Sequence, residues 1–208
     1  MRIPSPGELA ILLPALIFAL TIHEISHGLM AFLLGDQTAK RDGRLSLNPA
    51  RHIDPVGLLF FIFAGFGWAK PVMVNPLNLR NPKIDMALIS IAGPISNFLA
   101  AFVGLMIWYP VRYMPSVPGY IIGVLGTFCS LNIILGIFNL LPIPPLDGSK
   151  VLAGILPDSI YDNLPHTGRF GMILLLILIL TNTISQVLIP TAGAVSAMLF
   201  SVVSGIYG

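Results

Sequence analysis

Charged residues are what this sequence has least of. Asp, Glu, Lys and Arg make up only 10% of the 208 residues, and 55% are hydrophobic. Soluble domains carry about 25% charged residues. This composition, with its long apolar runs, therefore excludes an ordinary soluble domain and predicts a polytopic membrane protein. We expect one integral-membrane domain over residues 1–208, with the lipid bilayer and no nucleic acid among its partners.

Cysteine and histidine are scarce as well. Cys129 is the only cysteine, so no disulfide can form within the chain, and its apolar surroundings indicate a packing residue. Four histidines are too few for a diiron membrane hydroxylase or desaturase, which needs many. The few histidines that are present have to be judged by their positions.

The long apolar runs predict the membrane helices. A span needs about 20 mostly apolar residues, which gives predicted spans at roughly 9–34, 85–111, 119–141 and 169–188. The first run resembles a signal peptide, but no small-residue cleavage pattern follows it, so we interpret it as a retained transmembrane helix. Short helices are expected at about 148–156 and after Pro190. The predicted fold class is all-α and polytopic, with about 4–6 transmembrane helices.

The segment between the first two long spans contains two shorter features. The apolar run 56–68 has about 13 residues, which is short for a crossing and indicates a re-entrant or interfacial segment. The stretches "RLSLN" and "KPVMVN" alternate with the period of a β-strand. They predict a small β-hairpin associated with the membrane face.

Lysine and arginine are distributed unevenly around these spans. If 56–68 does not cross, nine of the 11 lie on one side: Lys40, Arg41, Arg44, Arg51, Lys70, Arg80, Lys83, Lys150 and Arg169. Only Arg2 and Arg112 remain for the other side. The positive-inside rule then predicts that the N-terminus lies outside and that residues 36–84 lie in the cytosol.

The stretch "TIHEISHG" contains three ionisable residues inside the first predicted span. His23 and His27 are four residues apart and share one helical face, where two imidazoles can bind one zinc ion. Glu24 follows His23 and lies beside that metal, where it can take a proton from water that zinc activates. Ionisable side chains are costly within a span and usually functional there, which favours this interpretation over polar groups that merely satisfy one another.

Two histidines do not complete such a site, because catalytic zinc normally takes three protein ligands and a water. His52 and His166 lie in loops and are interpreted as ordinary interfacial histidines. Asp147 follows three prolines in "NLLPIPPLDGSK", where a broken helix indicates buried backbone or a wet cavity. The N-cap of the next helix is an alternative and compatible role for Asp147.

Depth within the membrane allows these residues to meet. The centre of the histidine motif lies about nine residues, or roughly 13 Å, before the cytosolic end of its helix. Asp147 comes just after the cytosolic end of the span 119–141. Both therefore belong to the cytosolic half of the bundle, and a shared metal is geometrically possible.

These motifs together resemble the site-2 protease family of intramembrane zinc metalloproteases. A helix-borne HExxH is followed at a distance by N-x-x-P-x-x-x-L-D-G, filled here by Asn139, Pro142, Leu146, Asp147 and Gly148. The stretches "GRLSLNPARHIDPVG", "GWAKPVMVNP" and "AGPISNF" are also similar to the family's membrane core. The resemblance covers about residues 9–156, leaves helices at about 169–208 outside it, and is to a minimal form without PDZ or CBS domains.

The resemblance implies one Zn²⁺ per chain, with His23, His27 and Asp147 as ligands and Glu24 as the base. It implies an endopeptidase that cuts transmembrane protein substrates, as in regulated intramembrane proteolysis, with an active site reached from the cytosolic side. It also suggests that Asn139 holds or polarises the scissile carbonyl. The small size and the lack of a eukaryotic targeting signal favour a bacterial or archaeal cell membrane.

Other polar residues within the spans have two interpretations. Asn97 either faces the site, where it hydrogen-bonds a ligand or the substrate, or joins two helices beside the small residues Gly93 and Ser96. Thr127, Ser130 and Asn132 are interpreted as helix–helix contacts of the second kind. An edge of the predicted hairpin has a possible role of its own, because it could pair with an unwound substrate segment.

Two rival functions have less support in the sequence. A metal transporter uses several weak sites along a path, whereas the candidate ligands here converge on one spot. A degenerate and inactive protease is disfavoured because the ligand set and Glu24 are both complete. The prediction is therefore a zinc metalloendopeptidase of the membrane.

Overall fold

The computed structural model describes residues 4–64, 67–157 and 168–208, and helices dominate it. Four helices are long and apolar enough to cross a membrane: α1 (Pro6–Leu33), α4 (Pro82–Val111), α5 (Gly119–Asn139) and α8 (Thr183–Tyr207). Shorter helices are α2 (Thr38–Arg41), α3 (Pro55–Ala64), α6 (Asp147–Ile155) and α7 (Gly168–Leu180). The chain is a multi-pass membrane protein, as its composition predicts.

The helix α4 organises the bundle, since α1, α5, α6 and α8 all pack against it. Small residues let these helices approach closely. A Cβ on Gly104 would lie 2.7 Å from the sulfur of Cys129, and a Cβ on Gly136 would lie 2.9 Å from the ring of Phe98. Cys129 is buried at the α4–α5 contact, consistent with its predicted packing role.

The C-terminal part differs from the prediction of a span at about 169–188. The helix α7 ends at Leu180, after 13 residues, and α8 begins at Thr183 and continues for 25 residues through Pro190. Asn182 turns the chain between them in the left-handed conformation (φ 59°), which Asn tolerates better than most residues. A hydropathy pattern does not reveal such a turn. Nor does Pro190 end the helix, because proline is tolerated within membrane helices. His166 lies outside the described residues.

The predicted β-hairpin is wrong: no strand forms in the described parts of the chain. The stretches "RLSLN" and "KPVMVN" do not pair with each other, and one isolated antiparallel bridge joins Ile53 to Ala69 instead. The backbone N–H groups of Val72 and Asn75 donate to the side chains of Glu24 and Asp36, at 2.9 and 2.8 Å. N–H groups that donate to side chains cannot also donate to a neighbouring strand. The alternating pattern in the sequence therefore does not lead to a hairpin here.

The run predicted to be re-entrant contains α3, whose ten residues rise only about 15 Å. That length is about half of a hydrocarbon core of roughly 30 Å. The described helix α3 is therefore shorter than a full crossing by itself.

Asp36 anchors the segment 36–81, which covers one end of the bundle. Its carboxylate is fully buried and accepts hydrogen bonds from Thr38, Asn75 and Asn78. Burial by itself would raise the pKa of Asp36, but these hydrogen bonds outweigh it and lower the pKa below its ordinary value. The segment is thus fastened to the end of α1, next to the histidine motif.

Candidate metal centre

His23, His27 and Asp147 come together inside the bundle, and all three are buried. The Nε2 atoms of the two histidines are 2.9 Å apart. Oδ2 of Asp147 lies 3.2 Å from Nε2 of His23 and 3.1 Å from Nε2 of His27. Among the candidate third ligands within the described residues, Asp147 is the one that meets the histidine pair. His52 instead bonds the carbonyl of Ser46 at 2.8 Å.

Hydrogen bonding fixes which ring nitrogen of each histidine faces the centre. Nδ1 of His27 lies 2.7 Å from the carbonyl of Ile89, which can only accept, so this nitrogen carries a proton. Nδ1 of His23 lies 2.6 Å from Oδ1 of Asn97 and donates in the same way. Both Nε2 atoms therefore turn toward each other and toward Asp147, around a point that favours a cation.

The three facing atoms fit zinc. They form a nearly equilateral triangle, and a point just outside its plane is about 2 Å from all of them, the distance at which Zn²⁺ binds histidine nitrogen and carboxylate oxygen. Histidine ligands of metals generally donate their other ring N–H to a carbonyl or carboxylate, as both do here.

Asn97 lies behind His23 and belongs to a buried polar chain. Its Oδ1 accepts from His23, and its Nδ2 donates to Oδ1 of Asn132 at 2.8 Å and to the carbonyl of Ala19 at 3.3 Å. Asn132 in turn donates to the carbonyl of Phe128 at 2.8 Å. Asn97 and Asn132 have no exposed surface. Of the two interpretations of Asn97, the geometry thus favours the hydrogen bond to His23, a candidate metal ligand. Asn132 joins two helices, as predicted, and is also part of this buried polar chain.

At Gly93 the backbone of α4 packs closely against both imidazoles. A Cβ at this position would lie 2.5 Å from both Nε2 and Cε1 of His27 and 2.6 Å from Cε1 of His23. No side chain fits there without moving the histidines. The absence of a side chain at Gly93 therefore allows α4 to pack directly against the two imidazoles.

The break after α5 brings Asp147 to the histidines. The helix α5 ends at Asn139, and Asp147 is the first residue of α6, whose N-cap is Leu146. Asp147 is therefore not the N-cap, and its carboxylate is directed at the histidines. A Cβ on Gly148 would lie 2.2 Å from the carbonyl of Leu140, so glycine is required for the chain to fold back this tightly.

A cavity of about 350 Å³ opens beside the three residues. Its polar lining includes His23, Glu24, His27, Asn139, Asp147 and Lys150. Glu24 accepts a hydrogen bond from the N–H of Val72 through Oε2. Asn139 lines the cavity while its Nδ2 donates to the carbonyl of Leu135 at 3.0 Å. Asn139 thus lines the cavity, whereas Asn97 does not.

Sequence reasoning overlooked Lys150. Its ammonium lies 3.7 Å from Oδ1 of Asp147, the oxygen turned away from the histidines. The signal was available, because Lys150 follows Asp147 by three residues at the start of a helix and so lies on the same face. One oxygen of Asp147 therefore faces the histidines and the other faces a cation.

Known proteins resemble this chain over most of its length. A family model described as Peptidase family M50 matches residues 114–181. The chain is 36% identical over 197 residues to "Putative zinc metalloprotease YwhC" of Bacillus subtilis (strain 168), an alignment that covers 92% of this chain and 90% of that protein. No solved structure gives a significant match.

More distant relatives carry similar descriptions. Rip2 of Mycolicibacterium smegmatis, described in the same words as YwhC, is 28% identical over 192 residues, which cover 86% of this chain and 70% of that protein. "Zinc metalloprotease MJ0392" of Methanocaldococcus jannaschii is 34% identical over 108 residues, or 50% of this chain and 30% of that protein. With a family model matched over residues 114–181 and a relative aligned over nine-tenths of both lengths, this chain belongs to peptidase family M50, the site-2 proteases, and is a zinc metallopeptidase.

Proposed function

We propose that this metallopeptidase is an intramembrane endopeptidase that hydrolyses peptide bonds of transmembrane protein substrates. One observation carries the proposal: the His–His–Asp group lies buried within a bundle of candidate membrane spans, on the wall of a cavity that Glu24 also lines. A peptidase for soluble proteins has no need to bury its metal ligands among helices that can cross a bilayer. A substrate that is itself a membrane helix can approach such a site sideways.

His23, His27 and Asp147 are proposed to hold one zinc ion. Zinc bound there would act as a Lewis acid that polarises the scissile carbonyl and lowers the pKa of water beside it. Asn97 and the carbonyl of Ile89 hold the two imidazoles in the tautomer that leaves Nε2 free for the metal. The ligand residues are thus ordered before the metal arrives, because their outer hydrogen bonds are already made.

Glu24 is proposed as the general base. Its carboxylate takes a proton from the attacking water and later delivers that proton to the nitrogen of the leaving amine. The hydrogen bond from Val72 to Oε2 fixes the carboxylate at the cavity wall, and Oε1 remains for water. The amide of Asn139, on the same wall, is proposed to donate to the oxygen on which negative charge develops.

We further propose that the site opens to the cytosol of a bacterial or archaeal cell. The C-terminal end of α1, the segment 36–81 and the start of α6 share the metal-proximal end of the bundle. This end also has most of the lysines and arginines of the chain, which the positive-inside rule associates with the cytosol. Bacillus subtilis and Mycolicibacterium smegmatis, the sources of two relatives, are bacteria.

The deciding experiment measures metal content and cleavage in the same purified samples. In detergent, wild type is expected to contain one zinc per chain and to cut single-span substrates. Glu24→Gln should keep the zinc but reduce cleavage by about 100-fold or more, the usual contribution of a general base. His23→Ala and Asp147→Ala should lose the metal as well.

A matched control is available in Glu8→Gln, because Glu8 is the only other glutamate and belongs to the capping box at the start of α1. This variant should cut like wild type. Unchanged cleavage by Glu24→Gln would refute the assigned base, and retention of zinc by both ligand variants would refute the metal site. Cleavage of soluble peptides with no cleavage of single-span substrates would refute the intramembrane substrate.

A further inference from the structure

The end of the bundle opposite the metal centre contains an isolated cation. Arg112 caps the C-terminus of α4, about 35 Å along the helix from Ile89, whose carbonyl supports His27. The other basic side chains that the structure describes precede α4, lie in its first turn or neighbour Asp147. Arg112 is therefore the one described basic side chain at this end. Its surroundings are independent of the zinc site and of the proposed function.

Four aromatic rings surround the guanidinium of Arg112. Its central carbon lies 4.8 Å from the ring centre of Trp108, 4.4 Å from Tyr109, 4.6 Å from Tyr113 and 5.2 Å from Phe200. Tyr207, near the end of α8, stacks on Tyr109 at 5.4 Å. Aromatic rings at these distances attract the guanidinium through cation–π interactions. These interactions hold the side chain of Arg112 in a defined position.

The edges of the guanidinium are left with too few partners. A guanidinium has five N–H donors in its plane, and stacked rings do not accept them as a carboxylate does. Within the described residues, Arg112 makes no ion pair, its side chain donates only to the hydroxyl of Tyr113, and its Nε is buried without a partner. A fixed cation with unused in-plane donors is complementary to phosphate, which arginine binds through two parallel hydrogen bonds.

We propose that Arg112 and its aromatic frame bind the phosphate of an anionic phospholipid. Aromatic side chains that ring the end of a membrane bundle are typical of the boundary between hydrocarbon and water, the level of lipid headgroups. Tyr113 and Tyr207 are exposed there, at 66% and 46%. A headgroup without its own cation leaves the phosphate charge for Arg112, so phosphatidylglycerol should bind better than phosphatidylcholine.

Trp108 provides a reporter next to the site. The chain has two tryptophans, so Trp68→Phe leaves Trp108 as the only one. This variant is placed in phosphatidylcholine bilayers that contain a small fraction of phosphatidylglycerol or phosphatidylcholine brominated in the upper acyl chain, and quenching of fluorescence is measured. Brominated phosphatidylglycerol should be enriched about fivefold at Trp108 relative to brominated phosphatidylcholine, as expected for one basic residue. Excess inorganic phosphate should leave this enrichment unchanged.

Arg112→Gln in the same background should reduce the enrichment to one, while Arg112→Lys should keep part of it. Arg80→Gln is the matched control, since it removes the same charge near the start of α4 and should keep the full enrichment. Equal quenching by the two lipids before any change at Arg112 would overturn the proposal, and this comparison requires no variant of Arg112 to fold. Enrichment that survives Arg112→Gln, or that inorganic phosphate abolishes, would overturn it as well.

Discussion

The two halves of the bundle are stabilised in different ways. In the half that contains the metal ligands, buried polar groups are linked in a chain from His23 through Asn97 to Asn132, and from His27 to the backbone of α4. In the other half, Leu105, Cys129 and Val203 form an apolar cluster. Hydrogen bonds fix direction, whereas apolar packing mainly fixes proximity. A change in the first half should therefore affect metal binding before folding, and a change in the second should do the reverse.

The largest difference between the two halves is expected when a single methyl group is added to α4 beside the metal ligands. Gly93→Ala would place a Cβ 2.5 Å from Nε2 of His27, closer than any real contact, so the imidazoles must move out of line. Displacement of two ligands should reduce zinc content to the level of His23→Ala. Metal analysis and competition with a chelator measure this change, and cleavage should disappear with the metal.

Gly104→Ala is the matched control for Gly93→Ala. It adds the same methyl group to the same helix, but against the sulfur of Cys129 at 2.7 Å. Overpacking of this kind typically costs about 1–3 kcal/mol of stability, so the melting temperature should fall while each folded chain keeps one zinc. Full zinc affinity in Gly93→Ala, or loss of zinc from folded Gly104→Ala, would break the distinction between the halves.

A smaller effect is expected when the polar chain is cut behind the ligands. Asn97→Leu keeps the branched shape of the side chain but leaves Nδ1 of His23 without its acceptor. Loss of an outer hydrogen bond to a metal-bound histidine typically lowers metal affinity about 10–100-fold. Asn132→Leu, one step further from His23, should lower the affinity less. Chelator competition gives both affinities, and the cobalt-substituted spectrum shows whether the ligand geometry shifts. Equal effects of the two variants would contradict a linear chain.

The sequence predicted the centre of this first half better than its periphery. Spacing alone puts His23 and His27 on one helical face, because an α-helix repeats every 3.6 residues. Asp147 is 120 residues further along the chain than His27, so spacing could not choose it over the other candidates, and that choice depended on the resemblance to a family. Asn132 was interpreted as a helix contact because a buried amide in a span usually is one. Its link to a ligand exists only through Asn97.

The errors in the prediction have one common cause. Hydrophobic periodicity records which faces are buried, but it does not record where backbone donors find acceptors. In "KPVMVN" the N–H groups of Val72 and Asn75 donate to carboxylates, so no hairpin forms. At Thr181 and Asn182 the backbone turns within an apolar run that reads as continuous. Long-range partners decided the first place, and a left-handed turn at Asn182 decided the second. Hydrophobic periodicity displays neither.

Asp36 allows the packing of the covering segment to be separated from metal binding. Asp36→Asn turns an amide N–H toward the N–H of Asn75 or the amide of Asn78 and removes charge-assisted hydrogen bonds, which should cost about 2 kcal/mol of stability at neutral pH. The pKa of Asp36 is lowered from 3.8 in the folded chain, so its contribution is complete above 3.8 and is lost as the pH falls through the lower folded value. The melting temperatures of wild type and Asp36→Asn should therefore converge as the pH falls below 3.8.

Asp42→Asn provides the control, because Asp42 is exposed and close in sequence. It should melt like wild type at every pH. A difference between wild type and Asp36→Asn that does not depend on pH would show that the ionised carboxylate is not what fastens the segment. Zinc stoichiometry in Asp36→Asn should stay at one per folded chain, which places Asp36 outside the polar chain of the metal centre.

The smallest effect is expected at Lys150, which pairs with the outer oxygen of Asp147. Its side chain is 48% exposed and the ion pair is 3.7 Å long, so water and salt screen most of the attraction. Exposed pairs of this kind contribute up to about 1 kcal/mol, which corresponds to at most about a fivefold loss of zinc affinity in Lys150→Met. Lys150→Arg should restore the affinity, and added salt should reduce the difference between wild type and Lys150→Met. A loss as large as that in Asn97→Leu would mean that the exposed rim orders the metal centre as strongly as its buried polar chain does.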